Sequence, residues 1–191
     1  MALAHAILVS LLDRPQTGYE LGKRFDQTVG FFWKASHQQI YQELHKMAKA
    51  GWVQSETVAQ SDRPNRIVYT LTRRGREALD AWVETPTEPP SVKEELLVKL
   101  FALGDVDADT IVAELQRRRA YHVDRLAWYE SVMAEHYPEP DQLSPRRRGR
   151  YLGLRLGIMG EKTTLAWCDE ALALLAGAPS KPRGRRVQAR S

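Results

Sequence analysis

The chain has 191 residues, of which 43% are hydrophobic and 27% are charged, a balance typical of a folded protein rather than a disordered one. The formal net charge is +4, but the last 11 residues alone hold five basic side chains and no acidic one. Overall basicity therefore gives no argument for binding to nucleic acid. Any such argument depends on where basic side chains fall in the first half of the chain.

Composition also narrows the cellular setting. No apolar run approaches the roughly 20 residues needed to span a bilayer, and the N-terminus lacks the basic start and cleavage site of a secretory signal. Cys168 is the single cysteine, which excludes an internal disulfide framework and a cysteine-cluster zinc site. The sequence therefore predicts a cytoplasmic protein without a membrane partner.

The sequence contains none of the common motifs for catalysis or for metal or cofactor binding. The five histidines show neither HExxH nor His-x-His spacing. No GxSxG motif, glycine-rich phosphate loop or nucleophile–base pair is present. We therefore expect neither an enzyme, nor a metal site, nor a cofactor.

The first half begins with three predicted helices. Apolar residues at helical spacing indicate helices over 3–12, 19–29 and 37–50. The third helix has Ser36 as its expected N-cap and Gly51 just beyond its end.

Two strands and a fourth helix complete the first half. The hydrophobic pattern changes to the alternation of strands over 52–59 and 67–71. Thr72 is the expected N-cap of a helix that ends before Pro86. The order of three helices, a hairpin and a helix is that of a winged helix-turn-helix.

The third helix and the hairpin tip carry side chains suited to DNA. In helix-turn-helix proteins the second helix of the motif enters the major groove, where Gln binds adenine and Lys or His reaches guanine or phosphate. Opposite its apolar stripe, this helix presents His37, Gln38, Gln39, Gln42, His45 and Lys46. Candidate contacts to phosphate or the minor groove are Arg63, Asn65 and Arg66 at the tip, with Lys23 and Arg24 on the preceding helix. The alternative is that these polar side chains form only a solvated surface.

A proline-rich linker over 85–90 is the expected boundary between two domains. We expect a DNA-binding domain over 1–85 and a helical domain over 91–177. A basic tail over 178–191 is expected to be disordered, because it has few apolar residues to bury.

The second half is predicted to be helical and to dimerise. Helices are expected at about 92–103, 107–136 and 145–176, and three helices cannot easily bury two long apolar stripes alone. A second copy of the chain supplies the missing surface. The expected interface residues on these stripes are Leu115, Tyr129, Leu154, Ile158, Leu165, Trp167 and Leu172.

Several strings of residues occur together in one known family. They are Thr17-Gly18-Tyr19-Glu20-Leu21, Gly30-Phe31-Phe32-Trp33, Ser36-His37-Gln38-Gln39-Ile40-Tyr41-Gln42-Glu43-Leu44, Gly51-Trp52-Val53 and Arg63-Pro64-Asn65-Arg66-Ile67-Val68-Tyr69-Thr70-Leu71-Thr72-Arg73-Arg74-Gly75. In these strings the chain resembles the PadR family. Its second half, with Gly157-Ile158 and Trp167, resembles the all-helical dimerisation domain of the longer PadR subfamily.

The resemblance covers about residues 1–177 and implies a bacterial or archaeal transcriptional regulator, usually a repressor. It places side chains near DNA at Tyr19, Ser36, Gln38, Gln39 and Tyr41, and on the wing at Arg63 and Arg66. Two roles stay open for Tyr41, a hydrogen bond to phosphate or packing under Tyr19. Glu43 is expected to turn away from DNA and to pair with Lys46 or Lys49.

The five tryptophans are most simply core or interface anchors. The alternative is that Trp33, Trp128 and Trp167 line a cavity between the two halves, where a flat aromatic effector stacks and Arg or His holds its carboxylate. Cys168 lies on an apolar stripe and is expected to be buried and inert.

The sequence thus predicts a mainly α protein with a small β-hairpin, built from an N-terminal winged helix-turn-helix and a C-terminal three-helix dimerisation domain. The expected function is repression by a homodimer on a palindromic operator, relieved by a small, phenolic or aromatic effector. The alternatives are an effector-independent DNA-binding protein and a winged-helix module that binds another protein.

Overall fold

The computed structural model describes residues 2–27, 35–59, 65–89 and 93–176. The predictions for Trp33, for Arg63 and for the tail over 178–191 lie outside these residues. The chain divides into two compact units, Met1–Pro89 and Pro90–Ser191, and each is described by itself.

The described residues of the first unit form a short sheet among four α-helices. Its elements are α1 (Ala2–Leu11), β1 (Gln16–Thr17), α2 (Gly18–Gln27), α3 (His37–Lys49), β2 (Val53–Val58), β3 (Arg66–Leu71) and α4 (Arg73–Val83). The described strands form an antiparallel sheet in the order β1-β3-β2, with Gln16 opposite Tyr69 and Val53 opposite Leu71. The sequence predicts only the β2–β3 hairpin, because β1 has two residues and is too short to show alternation.

The core of the first unit determines which face of α3 points outward. Ile7 and Leu8 of α1 are fully buried at its centre. The inner face of α3 packs on them through Ile40, Leu44 and Met47. Each such aliphatic side chain contributes about 1.5–3 kcal/mol on full burial. Rotating α3 about its axis would lose several of these contributions, so its polar face is held toward the outside.

The second unit is a long helical hairpin closed at one end by a short helix. Its helices are α5 (Glu95–Leu100), α6 (Ala108–His136) and α7 (Pro145–Leu175). The short connection makes α6 and α7 antiparallel neighbours, with Tyr137 beside Tyr151 near the turn and Arg119 paired with Asp169 near the open end. Leu96 of α5 is buried beside Ile111 and Leu115 at that end, away from the turn, which α5 closes. None of the described helices is long and apolar enough to cross a membrane.

The α6–α7 hairpin itself buries most of the residues that the sequence assigns to a dimer interface. The side chains buried within the single chain are Leu115, Tyr129, Leu154 and Ile158. Trp167 and Leu172 pack against the cluster around Leu115, and Leu165 is half-buried. These side chains offer little surface to a second copy. The strongest apolar stripe of each long helix packs on the other helix of the same hairpin, and the predicted interface stays a prediction.

A second apolar stripe of α7 remains exposed. It comprises Leu152, Leu156, Met159 and Leu174, here called the outer stripe. At about 100° per residue, Leu152 and Leu156 lie on the side of α7 opposite to the buried Leu154. Leu156 is 72% exposed, so the outer stripe is the part of α7 that still lacks an apolar partner in the single chain.

Candidate nucleic-acid interface

The N-terminus of α3 is fixed by a reciprocal pair of hydrogen bonds. The Gln39 amide N–H donates to Ser36 Oγ at 3.2 Å, and the Ser36 amide N–H donates to Gln39 Oε1 at 2.8 Å. This capping box satisfies two backbone donors at the helix start. The structure confirms Ser36 as the N-cap. It also gives Gln39 a structural task, because its side-chain oxygen is already engaged in the cap.

The exposed face of α3 contains the polar residues that the sequence assigns to DNA contact. The exposed side chains are His37, Gln38, Gln39, Tyr41, Gln42, His45 and Lys46. Glu43 is half-buried and pairs with Lys46 at 3.4 Å, which agrees with the prediction that it turns toward a lysine. The face is therefore mainly neutral and cationic.

Two glycines of α2 let α3 approach closely. A Cβ added at Gly22 would lie 2.5 Å from Cε1 of His37, and one added at Gly18 would collide with the ring of Tyr41. The His37 ring is thus seated on α2, with its centroid 6.2 Å from that of Tyr19. Sequence reasoning missed this contact, because its only signal is two small residues spaced one helical turn apart.

The two tyrosines of this surface stay accessible. Tyr19 is 63% exposed and Tyr41 is 46% exposed, with the ring of Tyr41 lying over Gly18. The idea that Tyr41 is a core residue beneath Tyr19 is therefore wrong. The physical reason is that Gly18 provides a shelf on the surface of α2, so the phenol ring packs without being buried.

The start of α2 connects this surface to the wing. Glu20 Oε2 accepts hydrogen bonds from the Thr17 amide at 2.8 Å and from the Thr17 hydroxyl at 2.9 Å. These bonds, with smaller contributions from the positive charges of Arg66 and Arg14, lower the pKa of Glu20 below its ordinary value. Thr17 is opposite Val68 in the β1–β3 pairing, two residues from Arg66, so the start of the wing strand lies near the N-terminus of α2.

The remaining residues predicted to contact phosphate or the minor groove differ in their exposure to solvent. Lys23, Asn65 and Arg66 are exposed. Arg24 is half-buried and forms an ion pair with Asp13. Arg24 therefore holds α2 against the loop after α1, and it is not a free phosphate ligand.

Of the tryptophans predicted to line an effector cavity, the two in the described residues, Trp128 and Trp167, are not brought together. Trp167 packs against Leu96, Ile111 and Leu115 at the closed end of the second unit. Trp128 lies 13 residues beyond Leu115 on α6, about 20 Å along the helix axis, and is 44% exposed beside Tyr129. The two indoles cannot share one flat ligand within the unit, because they belong to different levels of the hairpin.

Other chemistry is limited in the described residues. Cys168 is buried, and burial raises the pKa of its thiol, so it is a poor nucleophile. No group of three or more His, Cys, Asp or Glu side chains in the described residues is placed to hold a metal ion.

A cation-bearing wing beside an exposed, capped third helix defines a winged helix-turn-helix regulator, here joined to a helical second unit. The model of the transcriptional regulator PadR-like family matches residues 7–81, and that of the virulence activator alpha C-term matches residues 92–176. The negative transcriptional regulator PadR of Bacillus subtilis is 32% identical over 91% of this chain and 97% of its own length. The chain belongs to the PadR family of transcriptional regulators.

Other relatives extend over the same length. A probable transcriptional regulator of Mycobacterium tuberculosis is 36% identical over 92% of this chain and 98% of its own. The structure of the virulence activator AphA of Vibrio cholerae superposes with a TM-score of 0.77 at 35% identity, covering 91% of this chain and 98% of that one.

The Bacillus subtilis PadR has been solved in two complexes. With operator DNA it superposes with a TM-score of 0.80 at 26% identity, and with p-coumaric acid at 0.76 and 25%. Both comparisons cover 92% of this chain and 99% of that one. These relatives are transcriptional regulators, a class whose members are generally not enzymes.

Proposed function

We propose that this chain is a transcriptional repressor that binds a palindromic operator as a homodimer. The observation that carries the proposal is the exposed face of α3, because its polar side chains lie opposite a fully buried apolar face. The repressor role is supported by the Bacillus subtilis relative, which is a negative regulator.

The proposed contacts divide by chemistry. Gln38, Gln42 and His45 of α3 face base edges in the major groove, where amide and imidazole groups can distinguish base pairs. Lys23 and Lys46 are placed to bind phosphate, as are the phenols of Tyr19 and Tyr41. Asn65 and Arg66 extend the surface onto the wing. His37, Ser36 and Gln39 act first by holding the start of α3 in place.

The outer stripe is the proposed dimer surface. Leu152, Leu156 and Met159 follow the spacing of a helix that packs on a partner along one side. Val98 and Phe101 of α5 add exposed apolar area to the same unit, with Phe101 90% exposed. A second copy of the chain covers these side chains, and its two-fold symmetry matches that of a palindrome.

We also propose that a small molecule releases the operator, which the p-coumaric acid complex of the Bacillus subtilis relative supports. A repressor of chromosomal genes works where the bacterial genome is, and this supports a cytoplasmic location.

The test is the salt dependence of DNA binding by fluorescence anisotropy. The matched pair is Arg66→Ala and Arg73→Ala, because Arg73 carries the same charge at the other end of β3 and pairs with Glu77. Each phosphate contact contributes about 0.9 to the slope of log K against log salt. We expect Arg66→Ala to lower the slope by about one and Arg73→Ala to leave it unchanged. Binding that is absent, or equal slopes for all three proteins, would contradict the proposal.

A further inference from the structure

The second unit contains a polar cleft that the DNA-binding function does not use. Its volume is about 490 Å³, within the range of about 300–1,000 Å³ typical of small-molecule sites. The lining comes from the N-cap of α5, the first half of α6 and Thr164 of α7. No aliphatic side chain is part of this lining, so the cleft suits a polar ligand better than an apolar one.

The two carboxylates of the cleft are already paired. Arg118 Nη2 donates to Glu94 Oε1 at 2.8 Å, and Lys99 Nζ donates to Glu114 Oε2 at 2.8 Å. These hydrogen bonds hold the pKa of Glu94 and that of Glu114 below their ordinary values. Both side chains are therefore charged and neutralised by their partners at neutral pH, which leaves little attraction for a cationic ligand.

Arg117 provides the remaining charge. It lines the cleft and is exposed, and it forms no ion pair with the described residues. With both glutamates neutralised, its guanidinium leaves the cleft with a net positive charge. A guanidinium is planar and binds a carboxylate through two parallel hydrogen bonds.

His122 supplies an oriented ring to the same cleft. Its Nδ1 is paired with Glu161, which is 7% exposed and also pairs with Arg125 at 3.2 Å. Because the carboxylate engages Nδ1, Nε2 is the ring nitrogen left for a ligand. Among the described residues, Nε2 has no hydrogen-bond partner, and the ring lines the cleft. Such a nitrogen suits a ligand hydroxyl.

We propose that this cleft binds a small aliphatic hydroxycarboxylate, with the carboxylate on Arg117 and the hydroxyl, which can donate or accept, hydrogen-bonded to Nε2 of His122. This proposal rests on the proposed function in one respect, since it names the chemical class of the small molecule that releases the operator. An aromatic acid is disfavoured because Tyr121 is the one aromatic side chain of the lining besides the imidazole. Because His122 and Glu161 join α6 to α7, the ligand would contact the hairpin that carries the outer stripe.

The test is isothermal titration calorimetry of the full chain with L-lactate, L-malate and citrate. Each is paired with the analogue that lacks the hydroxyl, namely propionate, succinate and tricarballylate. A site built to hydrogen-bond a hydroxyl rejects the analogue without it. We expect at least one hydroxy acid to bind about tenfold more tightly than its analogue. Absence of binding by all three hydroxy acids, or equal affinities within each pair, would overturn the proposal.

Two arginine variants test whether the hydroxy acid binds in this cleft. Arg117→Ala should weaken the hydroxy acid about tenfold or more, the loss expected for a charge-assisted contact. Arg119→Ala is the matched control, since Arg119 is on the same helix but its guanidinium is held by Asp169 outside the cleft. Equal losses in both variants, or no loss in Arg117→Ala, would overturn the assignment. Operator binding without ligand is measured on the same proteins. If the proteins bind operator but no hydroxy acid, the proposed ligand site is wrong while the repressor function stands.

Discussion

Gln39 shows how one side chain can serve both folding and recognition. Its Oε1 accepts the Ser36 amide at 2.8 Å, so only the side-chain nitrogen is left for a base or phosphate. Bidentate recognition of adenine needs both the oxygen and the nitrogen of the amide. The capped conformation therefore limits Gln39 to a single donated hydrogen bond.

Two substitutions separate these roles. Gln39→Ala removes one of the two hydrogen bonds of the capping box, that from the Ser36 amide, and should lower the free energy of unfolding by about 0.5–1 kcal/mol. Gln39→Glu keeps an acceptor for the Ser36 amide, but it loses the donor and places a negative charge toward DNA. We expect Gln39→Glu to unfold at nearly the wild-type temperature by circular dichroism and to bind operator at least tenfold more weakly. Full operator affinity in Gln39→Glu would show that this side chain does not face DNA.

Helices α2 and α3 pack closely where two glycines of α2 face two side-chain rings of α3. Gly22 sits under the ring of His37, and Gly18 sits under that of Tyr41. The spacing between the two helices, and with it the position of the exposed face of α3, depends on the absence of side chains at these points.

A double-mutant cycle tests this contact. Gly22→Ala forces the His37 ring to move at an overpacking cost of about 1–3 kcal/mol, partly offset by about 1 kcal/mol of gained helix propensity. In a His37→Ala background the collision is gone, so Gly22→Ala should then stabilise the unit. Chemical denaturation of the four proteins gives the coupling energy, expected to be about 1–3 kcal/mol. Additive effects would mean that the ring does not rest on Gly22.

The cap of α2 predicts a pH dependence. The pKa of Glu20 is lowered in the folded chain by its hydrogen bonds from Thr17. A carboxylate with a depressed folded pKa stabilises the fold above its unfolded pKa, and this stability is lost as pH falls through the folded value. Glu20 is exposed, so screening keeps the contribution near about 0.5–1 kcal/mol. Wild-type protein should lose more stability than Glu20→Gln between pH 7 and pH 3. Parallel pH profiles in denaturant melts would refute this.

The sequence predicts the elements better than it predicts their partners. Ser36 and Thr72 cap the helices that they were expected to cap, because capping is a local interaction of a few consecutive residues. The partner of an apolar stripe depends on contacts distant in sequence. Leu154 on the buried stripe of α7 and Leu156 on the outer stripe belong to patterns of similar periodicity. Leu154 is buried within the hairpin, whereas Leu156 is exposed.

The exposed residues of the candidate DNA surface can also be predicted from the sequence, because helical periodicity is a local property of the chain. Periodicity separates the exposed Gln38 and Gln42 from the buried Ile40 and Leu44. It does not show that His37 rests on Gly22 or that Gln39 turns back to Ser36, because these depend on side-chain conformations.

For the whole molecule, the outer stripe makes dimerisation testable. Leu156→Asp places a charge in the proposed interface without touching the seam of the hairpin. We expect this variant to sediment as a folded monomer at micromolar concentration, and to lose about 100-fold or more in operator affinity as the second half-site contact is no longer intramolecular. Val83→Asp is the control, since Val83 is 71% exposed at the end of α4 in the first unit. A dimeric Leu156→Asp would place the interface elsewhere.

The substitution Trp167→Asp would not serve this purpose. Trp167 packs against Leu96, Ile111 and Leu115 within one chain. A buried aspartate there would unfold the second unit, so loss of the dimer would not identify the interface.

We propose that a dimer of this chain recognises a two-fold symmetric DNA sequence. The most direct measurement is to sequence the fragments that the purified protein retains from sheared genomic DNA of its source, at physiological salt. We expect enrichment of an inverted repeat whose half-sites are separated by one helical turn of about 34–36 Å, or a multiple of it. Retention without any enriched sequence, or enrichment of a single half-site bound by a monomer, would contradict it.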